Sequence, residues 1–397
     1  MSGITGIGTT FTLPNYHGEL FAVTPSDTPL LSASGGLSGG KQVDSTVFEW
    51  QSYDLRDPSI RARLEGADAP TAEERVRANV EQVTQIFQEQ VATSYSKQAA
   101  SGQHVNGNGG AANPVANEHT WQVMQALKQV ARDINFSMWH GVKNKPADNT
   151  TARQMGGLLS SVTTNAQAKS TKITGATTAT SVITATHALS VDDKVVFTDI
   201  GDMTNVVAGR AYWVKSVSTT VSFTISATKG GAAITVGTAS GVGFYPLDAT
   251  DSAVGVDDVN GLLQSVFDNG GISEQGTATL FVPSGQKLAV SKAYANAYGK
   301  SDALAGSRNV GGVAVNTIVT DFGVLNVAVE RALPADAIAV VSLEQIEPVF
   351  LNVPGKGVLF EEELAKTGAA DKSQIYGEIG LKYGNQASHG VLRGLFA

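Results

Sequence analysis

Few side chains in this sequence stand at spacings that do chemistry. Gly35 and Gly40-Lys41 fall one residue short of a phosphate-binding loop, because Gln42 stands where the magnesium-binding hydroxyl belongs. No apolar strand leads into Gly35 and no helical pattern follows Lys41, so backbone amides would not gather around a phosphate. The same stretch, Gly36-Leu37-Ser38-Gly39-Gly40, fits the pattern of an exposed serine nucleophile. Ser38 nevertheless lies in Ser-Gly low complexity, and no histidine follows in a matching context. The six histidines, His17, His104, His119, His140, His187 and His389, show neither spacing that builds a zinc site on one helix face. Glu361-Glu362-Glu363 carries enough charge for a cation, but a run of three acids on one loop reads first as a solvated face. Asn135-Phe136-Ser137 and Asn149-Thr150-Thr151 are formal glycosylation sequons with no signal peptide to make them accessible to the modifying enzymes. With no cysteine, thiolate metal sites, disulfides and cysteine nucleophiles are excluded together. The sequence therefore points away from an enzyme, and no catalytic residue, metal or cofactor is expected.

The elements that would position any such group give a clearer picture. A length of 397 residues suggests about two to three domains. Lys plus Arg is 28 and Asp plus Glu is 36, giving a net charge of 28 − 36 = −8, and no basic run could track a phosphate backbone. Sequence-specific DNA binding is thus not expected. Charged residues make up only 16%, below the roughly 25% of an average soluble domain, which suits a surface covered by copies of the same chain. Met1 to Thr10 lacks a basic or apolar leader pattern, and no apolar run reaches the roughly 18 residues of a membrane span, so a soluble cytoplasmic product is expected.

Residues 1–45 are rich in Gly, Ser, Thr and Pro, with isolated apolar anchors at Phe11, Leu13, Phe21, Leu30 and Leu31. Such a segment cannot fold alone and reads as an arm that docks on something else, with Gly35 to Lys41 as its hinge. From residue 46 to 96, Val47-Phe48-Glu49-Trp50 and Val83-Thr84-Gln85-Ile86-Phe87 read as the two arms of a long hairpin. Its middle gathers Arg56, Asp57, Arg61, Arg63, Glu65, Asp68, Glu73, Glu74, Arg75 and Arg77, with little apolar residue to anchor them. Over Asn117 to Trp139, apolar residues recur at three and four, Asn117 can cap and Gly141 follows the end; the helix would be roughly 35 Å long.

From 166 to 250 the composition turns Thr-rich and Glu-free, the mark of a small all-β insert. Val195-Val196-Phe197, Tyr212-Trp213-Val214, the alternating Val221, Phe223 and Ile225, and Ile234-Thr235-Val236 are its expected strands. A helix over Asp257 to Phe267, a strand Thr279 to Val282, a helix from Ser284 and strands at Val324 to Val329, Ile338 to Leu343 and Ile375 to Tyr383 complete an α+β body.

Ordered short blocks now make a specific comparison possible. Phe48-Glu49-Trp50-Gln51 and Glu65-Gly66-Ala67-Asp68-Ala69, with Arg75, Arg77 and Asn79, resemble the extended loop of SU10-type major capsid proteins of tailed bacteriophages, a branch of the HK97 fold. Arg132-Asp133-Ile134, Gly156-Gly157-Leu158, Asp268-Asn269-Gly270-Gly271 and Val282-Pro283-Ser284-Gly285-Gln286-Lys287 continue the likeness in order. Thr320-Asp321-Phe322-Gly323, Arg331-Ala332-Leu333-Pro334, Leu364-Ala365-Lys366-Thr367-Gly368 and Ala387-Ser388-His389-Gly390 extend it to the end.

The resemblance implies an N-terminal arm (1–45), an extended loop (46–96), a peripheral domain with a spine helix (97–165), an axial domain (251–335) and a C-terminal return to the peripheral domain (336–397). Residues 166–250 are an insertion that the core fold does not need, expected on the outer surface. It further implies self-assembly into hexamers and pentamers of an icosahedral shell enclosing double-stranded DNA, made in the bacterial cytoplasm, with scaffolding, portal and decoration proteins as further partners and no membrane. Inter-subunit contact is then expected from Arg56, Arg61, Arg63, Glu65, Asp68, Glu73, Glu74, Arg75 and Arg77, and anchoring of the arm from Phe11, Leu13 and Phe21. A nanocompartment shell of the same fold and a β-rich fibre component are the alternatives.

Overall fold

A computed structural model describes residues 22–37, 39–56, 58–71, 73–99, 115, 117–218, 220–248, 252–271, 278–298, 317–320, 322–366 and 368–396. The arm anchors Phe11, Leu13 and Phe21, together with His17 and His104, lie outside these residues. The longest helix, Glu118–His140, begins where the sequence places it: Asn117 Oδ1 accepts from Thr120 N at 3.1 Å, and Glu118 complements the helix dipole. Ala126, Val130, Ile134 and Met138, each four residues from the next, form its buried row.

That row packs on a sheet built around the strand Ala370–Lys382. One edge of this strand pairs antiparallel with Gln85–Ser94. Its other edge is shared end to end by Leu359–Glu363 and Glu347–Leu351, and the latter takes Lys41–Val43 as a parallel neighbour. The supposed hinge is therefore partly tethered: a Cβ on Gly40 would lie 2.2 Å from the Pro348 carbonyl. Lys41 opens a strand, not a helix, so the phosphate-loop geometry is absent at this position. Ile375, Ile379, Leu381 and Tyr383 share the buried face, as their spacing predicts.

A second sheet has six strands in the order Thr317–Thr320, Gly323–Val329, Ala278–Val282, Ile338–Ser342, Gly390–Arg393 and Ala166–Ala168. The helix Val256–Asp268 packs on it through Val259, Leu262 and Leu263, and the helix Ser284–Tyr298 through Val290. The C-terminal stretch divides between the two sheets: the strands at 338–342 and 390–393 complete the second, while those at 347–351, 359–363 and 370–382 build the first. Ala166–Ala168 also belongs to the second sheet, paired parallel with Val391–Arg393, so the β insert proper begins later.

The insert is a closed six-stranded barrel, with strands in the order Ser222–Ser226, Val182–Thr184, Ile173–Ala179, Ala239–Leu247, Lys194–Asp199 and Ala211–Ser218, the last returning to the first. Its interior is separate from the other two cores and centres on Phe197, Phe223 and Phe244, whose rings meet at 5.3 to 5.7 Å. Ile234-Thr235-Val236, read as a strand from its branched residues, makes only a bridge beside it at Ala233 and is no strand. The barrel is closed by Ala239–Leu247, whose alternation is masked by Gly241, Gly243 and Pro246. Barrel and body meet where Ala335 N donates to Gly209 O at 2.8 Å. Gly209 adopts φ +78°, and a Cβ there would sit 3.4 Å from both His140 and Pro334.

Candidate assembly surface

The hairpin leaves this body as two strands, Val47–Tyr53 and Arg77–Val83, paired from Val47 opposite Val83 to Tyr53 opposite Arg77. Its second arm is thus Arg77–Val83, not the expected Val83–Phe87, because Val83 and Thr84 are buried where the chain enters the first sheet. The base is held firmly. Trp50 Nε1 donates to Gly384 O at 2.8 Å, and its ring meets Tyr383 edge-on at 5.0 Å. The Phe48 ring lies so close to Gly380 that a Cβ there would approach it to 2.5 Å. Lys143 and Lys145 both pair with Glu81, and Gly156 N donates to the buried Gln82 side chain at 3.1 Å. Beneath them Glu378 is nearly enclosed, accepting from Thr84, Arg153 and the Tyr376 hydroxyl. Burial, with the Glu378 carboxylate beside it, pushes the Tyr376 hydroxyl up to about 12.

Beyond Tyr53 the described residues 54–76 hold no regular element and are all exposed. The charges expected here to bridge neighbouring subunits are partly satisfied within the loop. Glu73 draws Arg61 (2.9 Å), Arg75 (3.3 Å) and Arg56 (3.7 Å) around itself. The hydrogen bond and charge of Arg61, followed by Arg75, hold the Glu73 carboxyl below the usual carboxylate range. Arg63 donates to the Asp68 carbonyl at 2.9 Å and Arg77 to the Gln51 side chain at 3.1 Å. Among the described residues, the carboxylates of Glu65, Asp68 and Glu74 form no ion pair, and neither do Arg63 and Arg77. These five charges remain available to another surface.

Sequence reading undervalued the apolar residues of the same loop. Ile60 is 99% exposed, Leu64 86%, Val76 79% and Leu55 67%. They stand singly among charges, so no period marks them; only the geometry shows that none of the described residues covers them. The loop thus closes part of its ion pairs on itself and leaves four large apolar side chains exposed.

The arm enters through a short helix, Pro29–Ala33, whose Leu30 and Leu31 are buried in the core beneath the long helix. Leu31 N donates to Asn135 Oδ1, while Leu30 N, Ala332 N and Asn135 Nδ2 all donate to the fully buried Glu330. Arg331 Nε meets Asp27 at 2.8 Å and holds that carboxyl below its ordinary value.

The residues first considered for chemistry are used structurally. His140 stacks on Phe136 at 4.2 Å, with Nε2 at 2.6 Å from the Ala332 carbonyl oxygen, and burial lowers its pKa. His119 bridges Thr93 and Ser373, His187 packs edge-on against Phe223, and His389 is buried with Nε2 at 2.8 Å from the Tyr383 carbonyl oxygen. Glu361-Glu362-Glu363 falls on a strand rather than a loop, where Lys356 and Gln374 hold Glu362. Among the described residues no cluster of three His, Asp or Glu could hold a metal ion.

The sequence model of the SU10 major capsid proteins matches residues 3–396. The fold is similar to the capsid asymmetric unit of cyanophage A-1(L), with TM-score 0.55 and 9% identity over 98% of each chain. It is also similar to the capsid of cyanophage P-SCSP1u, with TM-score 0.50 and 10% identity over 98% of this chain and 95% of the other. No curated protein matches. The blocks of sequence, the two-sheet body with its long helix, and the projecting hairpin agree with one assignment: the chain belongs to the SU10 major capsid protein family, the shell-forming proteins of phage heads.

Proposed function

We propose that the chain forms the icosahedral head through hexamers and pentamers, in which the hairpin of each subunit lies across its neighbour. The exposed tip supports this reading, because Leu55, Ile60, Leu64 and Val76 have no cover among the described residues while the hairpin base is fixed to the body. Rings of one chain use heterologous contacts, which close when the rotation between subunits closes. Free charges at Arg63, Glu65, Asp68, Glu74 and Arg77 would set register, each exposed pair contributing only about 0 to 1 kcal/mol, while the apolar side chains supply most of the affinity.

In this arrangement residues 1–45 are the arm, 46–96 the extended loop, 97–165 with the strands at 347–351, 359–363 and 370–382 the peripheral domain, 251–335 with the strands at 338–342 and 390–393 the axial domain, and the barrel within 166–250 an insertion on the outer face. The shell assembles in the bacterial cytoplasm and encloses double-stranded DNA without reading its sequence. Scaffolding, portal and decoration proteins are its expected partners. Negative-stain electron microscopy of the purified chain, alongside light scattering, tests the reading: closed shells or six- and five-membered rings are expected. A chain that stays monomeric at high concentration, with and without a scaffolding protein, would refute it.

A further inference from the structure

The barrel meets the rest of the chain across gaps. Crevices of about 490 Å³ and 340 Å³ flank its contact at Gly209, and both reach His140 and Pro334. The barrel interior shares no residue with either core of the body. Modules joined without a large apolar interface move relative to one another unless something else fixes them. The chain enters the barrel through residues 169–172 and leaves it through 248–255, so these two stretches alone would act as a swivel.

Residues 393–396, which run on from the second sheet, touch both stretches and the barrel wall. They are first fastened to the body. The fully buried Asp336 accepts from Arg393 Nε at 3.0 Å, Arg393 Nη2 at 3.2 Å and Gly394 N at 3.1 Å, and Gln286 Nε2 donates to Leu395 O at 2.9 Å. Toward the entering stretch, Arg393 O accepts from Lys169 N at 3.0 Å, and a Cβ on Gly394 would lie 2.3 Å from Ser170 Oγ. Toward the leaving stretch, Phe396 N donates to Ser252 O at 2.7 Å. The barrel wall is met twice, both times by a cation against a ring. The Arg393 guanidinium stands 5.1 Å from the Tyr245 ring, and the Phe396 ring stands 4.5 Å from Lys194 Nζ, which is also 4.6 Å from the Trp213 ring.

We propose that residues 393–396 are a clasp that holds the barrel at one angle on the second sheet. Asp336 and Gln286 anchor it, and the rings of Tyr245 and Phe396 are its closing contacts. With those two contacts removed, the barrel swings on its two connections into the flanking crevices. This is a property of the single subunit and does not depend on how subunits assemble.

The absence of cysteine allows a single fluorescent label to be placed in the full chain. Val221→Cys puts it on an exposed barrel turn, and Val142→Cys, in a separate protein, on an exposed part of the body. Time-resolved fluorescence anisotropy of dilute subunits reads how fast each part turns. With the clasp intact, both labels should decay with the same slow time. Phe396→Ala combined with Tyr245→Leu should give the barrel label a second component about fivefold faster, since residues 169–253 are 85 of the 397 and turning time follows the volume that turns. The body label should stay slow. A fast barrel component with the clasp intact would overturn the proposal, and so would unchanged decay in the double variant. Circular dichroism reports whether each variant is folded. Should Tyr245→Leu unfold the barrel, Phe396→Ala alone leaves every barrel residue in place and must still show the fast component; its absence there would equally overturn the clasp.

Discussion

Replacing Ile60 and Leu64 by alanine at the hairpin tip separates assembly from folding. Each substitution removes three carbons from a side chain almost wholly exposed in the subunit, so the fold should change by less than about 0.5 kcal/mol. At roughly 0.8 kcal/mol per buried carbon, full burial on a neighbour makes each side chain's loss about 2.4 kcal/mol. Allowing for incomplete burial, the pair costs about 4 kcal/mol per subunit contact, nearly three powers of ten in the concentration at which shells appear. Light scattering across a subunit dilution series, under conditions where the unmodified chain assembles, reads that onset, and thermal unfolding of the dilute subunit reads the fold. An onset shifted by less than about threefold would refute the tip as an apolar contact. A melting temperature that falls along with assembly would refute the separation.

Four further outcomes follow from other contacts. Arg61→Glu places a second negative charge beside Glu73 in place of its closest cation, and should abolish shells while leaving subunit melting unchanged, as seen by microscopy and calorimetry. Because Arg61 lowers the Glu73 pKa, the loop network is intact at neutral pH and is lost as pH falls through that lowered value; loop proteolysis should be flat from neutral pH through the ordinary glutamate range and rise only on further acidification. Glu330→Ala strands the N–H groups of Leu30 and Ala332 and the amide of Asn135, and should cost about 3 kcal/mol in urea denaturation, with Glu330→Gln costing less; a loss under about 1 kcal/mol in the alanine variant would show that the arm is not held there. Residues 169–253 expressed alone should fold and melt cooperatively, since Lys169 Nζ already meets the Ala253 carbonyl at 2.6 Å and the barrel core is its own; a chain without β-type circular dichroism would contradict this.

The long helix was legible because a 23-residue run repeats its apolar positions at three and four and bears its own cap, so local and tertiary signals agree. The barrel was legible as a composition but not as six strands. Ile234 to Val236 has strand residues without strand partners, whereas Ala239–Leu247 pairs on both edges despite two glycines and a proline. Pairing partners far away in sequence decide such cases, and no local pattern carries them. The same holds for Ala166–Ala168, which joins a sheet more than two hundred residues downstream. At the hairpin tip, the charges are conspicuous in sequence, but their mutual pairing around Glu73 and the exposure of Ile60 and Leu64 depend on the loop's path in space.

Closure of the barrel matters most once many copies stand side by side. An open sheet repeated across a crowded surface would offer each neighbour a row of unpaired amides and carbonyls, and strands could be exchanged between subunits. Here the first and last strands of the order are joined to each other, leaving no such row in this module. The turns between its strands, rather than the strands themselves, are then where sequence can drift without inviting one particle to fuse with the next.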